Sequence, residues 1–359
     1  MTAGEFFARL PVPIIQAPMV GASSFEMALG VSEAGGLGSL AAGALGPDAI
    51  EAQAQAFRAA SAAPFAINLF VNAPARPSGE TVAAALARLA PWYAELGQPL
   101  PEPPNDFAPD FEAQFAALLR AAPPVASFTF DRLRKEQAEA LHGVGSLVVG
   151  TATTVAEARA WAEVGADAIC AQGAEAGGHR GHFLAETEAS LVGTMALAPT
   201  IRAAVDLPVI AAGGIMDGRS VAAALALGAA AAQMGTAFLL SEETAVSAPW
   251  RAAIETAADD PTRLTRAFTG RHARGIENRF MREMRPIEGE VPAYPVQNRL
   301  TQPLRAAAAR AGEAGMISLW AGQGVKLAPT GRSAELVRRW WDEAGEVSRT
   351  VAARTGAAT

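Results

Sequence analysis

Short apolar runs alternate with longer alanine-rich segments along most of the chain. Eight runs have the length and apolar density of buried strands: residues 12–17, 36–40, 65–70, 125–130, 146–149, 168–171, 209–212 and 231–234. Residues 47–60, 153–164, 195–205 and 218–227 predict helices between them, because alanine orders without losing side-chain entropy. Thr153 supplies a cap at the start of one helix and Gly165 a stop at its end. Val221, Ala224, Leu225 and Leu227 mark part of an apolar stripe. Repeated strand–helix units imply parallel neighbours, since parallel strands need a crossover connection. Eight such units predict an α/β fold, a closed (β/α)8 TIM barrel, with an open doubly wound sheet as the alternative.

Two stretches exceed the minimal unit. Residues 72–122 hold a proline-rich excursion at 99–104 between helical pieces near 82–96 and 110–121. Residues 239–329 read as an added, partly helical subdomain before a final helix at 333–344. The expected division is a barrel of residues 1–238 and 325–350, with 239–324 as an inserted cap over the C-terminal strand ends, where barrels carry their sites.

Composition narrows the class. Half of the residues are hydrophobic and 18% are charged, which favours a large core over disorder. The net charge of −7 and the lack of any Lys/Arg block argue against a nucleic-acid partner. The basic stretch 263–285 is broken by acidic residues and reads as a solvated helical surface. Cys170 is the only cysteine, so neither an intrachain disulfide nor a cysteine zinc cluster is expected. His179 and His182 are three apart in a glycine-rich loop, and no H-E-x-x-H occurs, so no metal site is expected. No leader and no membrane-length apolar run is apparent. A cytoplasmic enzyme acting on a small molecule is the expectation, and its apolar insertions leave a homo-oligomer open.

The candidate chemistry sits at strand ends. PVIAAGGI at 208–215 places Gly213 and Gly214 after the seventh strand, and AQMGTAF at 232–238 places Gly235 and Thr236 after the eighth. Glycine turns bring backbone N–H groups close to an anion, and this pair has the position of a barrel's phosphate grip. Gly35–Gly38 lies before and within a strand, so no Rossmann fingerprint is present. QGAEAGGHRG at 172–181 follows the sixth strand. There Gln172 can donate and accept, Gly177 and Gly178 permit close approach, and His179 can exchange a proton. Glu175 is available to orient the His179 ring or a loop amide, and Arg180 is either a surface residue or a charge for an anionic substrate. His182 reads as an ordinary loop histidine. After the first strand, Ala17 precedes Pro18, which fixes the backbone, and Met19, a soft surface suited to a planar ring. Asn68 closes the third strand with a polar edge.

These pieces, QAPM, INLF, AQGAEAGGHRG, PVIAAGGI and AQMGTAF, occur in order along the barrel, and with the late WAGQG at 320–324 they resemble the nitronate monooxygenase family. The resemblance implies non-covalent FMN. Ala17, Pro18 and Met19 would lie beside the flavin, with Asn68 and Gln172 at its polar edge and Gly177 and Gly178 bordering the site. Gly213, Gly214, Gly235 and Thr236 would hold its phosphate. Ala321, Gly322, Gln323 and Gly324 would close the site, and His179 resembles the family's catalytic histidine. The implied reaction converts an alkyl nitronate and oxygen to a carbonyl compound and nitrite. Members often carry glycine after the fourth strand, where this chain has Asp131, positioned to cap a helix or to alter binding of anions.

Three other functions fit parts of the pattern. An FMN-dependent NAD(P)H enoyl-thioester reductase would share the barrel and the histidine loop. A flavin- or phosphometabolite-binding barrel without turnover would share the grip. A lyase or isomerase would use that grip for its substrate.

Overall fold

The apolar runs fold as parallel strands because each is followed by a helix that returns the chain across the same face. A computed structural model of the chain describes residues 1–356. The strands are β1 Ile14–Gln16, β2 Gly38–Ala41, β3 Phe65–Phe70, β4 Val125–Thr129, β5 Leu147–Ala152, β6 Ala168–Gln172, β7 Gly178–His179, β8 Val209–Ala212, β9 Ala231–Met234, β10 Thr262–Thr265 and β11 Ala273–Ile276. Eight of them form one parallel sheet in the order β1-β9-β8-β6-β5-β4-β3-β2. A parallel bridge between Ile15 and Leu37 joins its two edges and closes the (β/α)8 barrel. Each of the eight predicted runs supplies one barrel strand. β5 continues past its expected end to Ala152, and Thr154 rather than Thr153 caps the next helix, Val155–Glu163. Thr153 instead donates through its backbone and hydroxyl to the buried Glu157 carboxylate, both at 2.7 Å.

The close fit of helices onto strands is visible at Gly38. A Cβ there would lie 1.9 Å from the backbone oxygen of Ala28, in the helix Phe25–Glu33. That oxygen belongs to the helix main chain and cannot swing aside.

A second apolar cluster stands over the barrel's C-terminal mouth. It joins Val82, Leu89, Trp92 and Phe107 from the first long connection to Trp250, Phe268, Phe280 and Leu300 from the second. The Tyr93 hydroxyl ties them by donating to the Leu300 carbonyl at 2.7 Å. The later insertion is not only helical. β10 and β11 form an antiparallel ribbon, and β11 pairs with β7, setting Ala273 opposite His179 and Arg274 opposite Gly178. The expectation of a solvated basic helix at 263–285 is therefore corrected. Part of that stretch is a strand with Arg274 buried, because its guanidinium finds the Ala174 carbonyl and the Thr262 hydroxyl to bind.

Gly38→Ala is expected to destabilise the protein by about 3 kcal/mol through overpacking. Gly79→Ala, at the first helical residue of Gly79–Glu95 and with a new Cβ that would meet nothing within 4 Å, serves as the control. Urea unfolding of the two variants checks this, and equal midpoints would refute the close-packing account.

Candidate active site

One cavity of about 530 Å³ opens at the C-terminal ends of the barrel strands, under the cap. Ala17, Pro18, Met19, Asn68, Gln172, Gly177, Gly178, His179, Gly213, Gly214, Gly235, Thr236, Gly322 and Gly324 all line it. Ala321 and Gln323 do not. The Ala321 side chain is buried in the cap cluster, while Gln323 is exposed and holds the loop through its N–H, which donates to the Glu175 carbonyl at 2.9 Å.

The floor is built by buried polar side chains. Gln16 accepts from Ser39 N–H at 2.9 Å and donates to the Ser23 hydroxyl at 2.9 Å and to the Ala17 carbonyl. These bonds fix the course of Ala17–Met19, whose Met19 N–H also reaches Ser23 Oγ at 3.0 Å. Asn68 spends its amide donors on the Ser127 carbonyl and hydroxyl, both at 3.1 Å, which leaves Oδ1 as an acceptor. Gln172 donates to the His179 carbonyl at 3.0 Å and accepts from Gly181 N–H at 2.8 Å. One of its Nε2 protons remains free.

The two glycine turns and the late segment meet at this cavity. Gly213 and Gly214 take φ of 112° and 73°, which glycine adopts without steric penalty. Thr236 Oγ1 accepts from Gly322 N–H at 2.9 Å, fastening the late segment to the second turn. The N–H groups of Gly214, Gly235 and Thr236 donate to no acceptor among the described residues. A Cβ on Gly322 would lie 2.6 Å from the Glu175 oxygen, and one on Gly178 would stand in open space. Free N–H donors at adjoining turns, beside a surface without side chains, suit a phosphate joined to a flat ring.

His179 stands at 5.5 Å from the Phe130 ring, 5.6 Å from Tyr294 and 5.7 Å from Trp320, centroid to centroid. Its Nε2 lies 3.0 Å from Thr269 Oγ1, and that hydroxyl donates its single proton to the Arg271 carbonyl at 2.9 Å. With its proton on that carbonyl Thr269 accepts from His179, an assignment that gives the Nε2–H tautomer and leaves the Nδ1 lone pair without a protein partner among the described residues. Burial, with the charges of Arg271 and Arg305, pushes the imidazole pKa down to about 3, so it is neutral at physiological pH. Glu175 does not orient this ring. Of the two partners expected for it, the loop amide is the one found: Thr194 donates from its N–H at 2.9 Å and from its hydroxyl at 2.9 Å.

Three guanidinium groups brace the histidine loop. Arg180 is fully buried and donates to the carbonyls of Gly173 at 2.7 Å, Gln172 at 3.0 Å and Ser190 at 2.7 Å. It is thus neither a surface residue nor a ligand for substrate. Arg274 reaches the Ala174 carbonyl at 3.1 Å, and Arg271 those of Arg180, at 3.0 Å, and His182. Arg271 also lies 4.4 Å over the Phe130 ring. Phe130 itself has φ of 88°, a conformation costing about 1–3 kcal/mol in a non-glycine residue. A tilted contact with the Phe70 ring at 4.5 Å and an edge-on contact with Tyr294 at 5.2 Å hold it there. The unusual φ falls on Phe130 and not on Asp131, which is exposed, binds the N–H of Arg132 at 2.8 Å and does not line the cavity.

Thr269, Tyr294, Trp320 and Arg305 were not singled out by the sequence as site residues. Tyr294 carried one usable signal, being one of only two tyrosines in the chain. Trp320 heads the WAGQG segment, of which the resemblance assigns only the other four residues to the site, while Thr269 and Arg305 sit in the cap, where no repeat unit marks a strand end.

The model of the nitronate monooxygenase family matches residues 6–342. A probable nitronate monooxygenase of Staphylococcus aureus (strain Newman) is 40% identical over 319 residues, 89% of this chain and 90% of that one. The structure of nitroalkane oxidase from Streptomyces ansochromogenes superposes with a TM-score of 0.89 at 41% identity, covering 96% of this chain and 99% of its own. FabK from Thermotoga maritima gives a TM-score of 0.76 at 27% identity, covering 99% of both chains.

The His179 ring is expected to stay neutral, as the Nε2–H tautomer, from pH 8 down to about pH 5, because protonation in the folded state waits for a pH near its depressed value of about 3. Nitrogen NMR of histidine-labelled protein reads this directly. A His179 midpoint near 6.5 would refute it.

Proposed function

We propose that the chain, which belongs to the nitronate monooxygenase family, oxidises alkyl nitronates with oxygen on bound FMN to give carbonyl compounds and nitrite. It is a flavin oxidoreductase. The observation that carries the finer reading is the convergence of a neutral histidine and two glycine turns with free N–H donors on one cavity. The reaction balances as two nitronate anions and one oxygen molecule giving two carbonyl compounds and two nitrite ions.

When bound, FMN supplies the electron transfer, and the protein supplies position and charge. Gly213, Gly214, Gly235 and Thr236 would hold its phosphate through backbone N–H groups. Ala17, Pro18 and Met19 would pack on the ring. Asn68 Oδ1 would accept from the ring edge and Gln172 Nε2 would donate to it. Gly177, Gly178, Gly322 and Gly324 would border it with backbone alone, while Ala321 and Gln323 keep the late segment in place from outside. His179 would present Nδ1 to the α-proton of a neutral nitroalkane; since its imidazolium is disfavoured at rest, the proton would stay on Nδ1 only while the nitronate anion formed from it lies beside the ring. Phe130, Tyr294 and Trp320 exclude water around that proton.

The test is an aerobic assay of the flavin-loaded protein with propyl-1-nitronate and 1-nitropropane, following oxygen uptake and nitrite, beside an anaerobic mixture with NADH. Two nitrite ions per oxygen and slow bleaching by NADH are expected. No nitrite together with rapid bleaching would overturn the reading in favour of a reductase. His179→Ala is expected to lower kcat/KM for 1-nitropropane by about 10²- to 10⁴-fold, the usual share of a general base, with flavin absorbance retained. Unchanged turnover, or loss of flavin alone, would remove the histidine from this role. Gly214→Asp is expected to weaken FMN binding by at least about tenfold, since bulk and negative charge would face phosphate. An unchanged fluorescence titration would remove that turn from the grip.

A further inference from the structure

A neutral His179 cannot neutralise an anionic substrate. Among the described residues lining the cavity, the charged side chains are Asp106, Glu175, Arg299 and Arg305. Asp106 and Arg299 are exposed, and Glu175 is committed to Thr194. Arg305 is different. It lies on the helix Val296–Ala311, where Asn298, Gln302 and Arg305 recur at helical spacing and face the cavity together. Its Nη2 donates to the Asn298 carbonyl at 3.0 Å and to Asn298 Oδ1 at 2.8 Å, and Nη1 donates to Ser318 Oγ at 3.2 Å. All three acceptors are neutral. Nε is buried and has no partner among the described residues. No carboxylate lies within ion-pair distance, although twelve other ion pairs are formed among the described residues.

A partly buried guanidinium without a counterion is costly unless an anion completes it. It remains a cation near neutrality, with its pKa lowered only to about 10 by burial. Its field reaches the reacting end of the cavity, since it is one of the two charges that hold the His179 imidazole neutral. The phosphate grip does not meet this need, because its turns bring backbone donors of their own.

We propose that Arg305 is the countercharge for the nitro oxygens of the substrate, and so sets a preference for the anionic nitronate over its neutral nitroalkane. The inference rests on the nitronate reading. It assigns the two substrate forms to different groups: charge recognition to Arg305 and proton removal to Nδ1 of His179. The role rests on charge: with both Nη2 protons on Asn298 and one Nη1 proton on Ser318, the group is held in place and keeps its positive charge toward the cavity.

The test uses the flavin-loaded protein and its Arg305→Met, Arg305→Gln and Arg305→Lys variants. Steady-state kinetics with propyl-1-nitronate and with 1-nitropropane are compared, and nitrite binding is measured by calorimetry. Loss of the charge in Arg305→Met is expected to raise the nitronate KM and the nitrite Kd by about 10- to 100-fold, the range for a hydrogen bond to a charged group. The 1-nitropropane KM should move by less than about threefold, and Arg305→Lys should recover most of the loss. Arg305→Gln gives the same reading if Arg305→Met lowers the Tm. Equal losses on both substrates, or unchanged nitrite affinity, would overturn the role. Should the wild type turn over no nitronate while Arg305→Met still weakens nitrite, the reaction assignment fails and the anion site stands.

Discussion

The site depends on how the loop after β6 keeps its backbone carbonyls satisfied. That loop carries the histidine and borders the glycine turns, yet it forms no regular structure beyond two residues paired with β11. Its carbonyls at Gln172, Gly173, Ala174, Arg180 and His182 are capped by the side chains of Arg180, Arg271 and Arg274. Buried carbonyls left alone would each cost roughly a hydrogen bond's desolvation, and guanidinium groups left alone would cost more. Each offsets the other, and the loop is set in one course.

The same arrangement gives the cavity its electrical character. Cations bound to carbonyls keep their full charge, whereas cations bound to carboxylates are neutralised. The histidine therefore sits in a positive field and in a poorly solvated wall of aromatic rings. Both effects disfavour imidazolium, and both favour an anion in the space beside it. The Thr269 hydroxyl then chooses which nitrogen carries the proton, through a donor bond to the Arg271 carbonyl. A single arginine thus contributes its side chain to the loop and its main chain to the tautomer.

What could be read from the chain alone was whatever repeats once per barrel unit. The eight strands were legible because each must be apolar on both faces, and the glycine turns because they fall where strands end. Gln172, Gly177, Gly178 and His179 were legible for the same reason. Thr269 was not, because its partner lies 90 residues away and is met only through the ribbon of β10 and β11. Arg271 and Arg274 depart from the solvated reading of 263–285, while Arg263 keeps to it, because local composition does not show which side chains meet loop carbonyls. Phe130 gave no sign of its left-handed backbone, since only tertiary packing compensates it.

The cap's apolar cluster has a bearing on the order of events during synthesis. Val82, Leu89, Trp92 and Phe107 leave the ribosome long before Phe268, Phe280 and Leu300, the residues that cover them. Strand β1 likewise waits for β9 before its second edge is paired. Domains generally form as units while the chain emerges, and unshielded apolar surface at that stage invites aggregation. For about half of its translation, the nascent chain therefore holds Trp92 and Phe107 without the later residues that cover them in the finished fold.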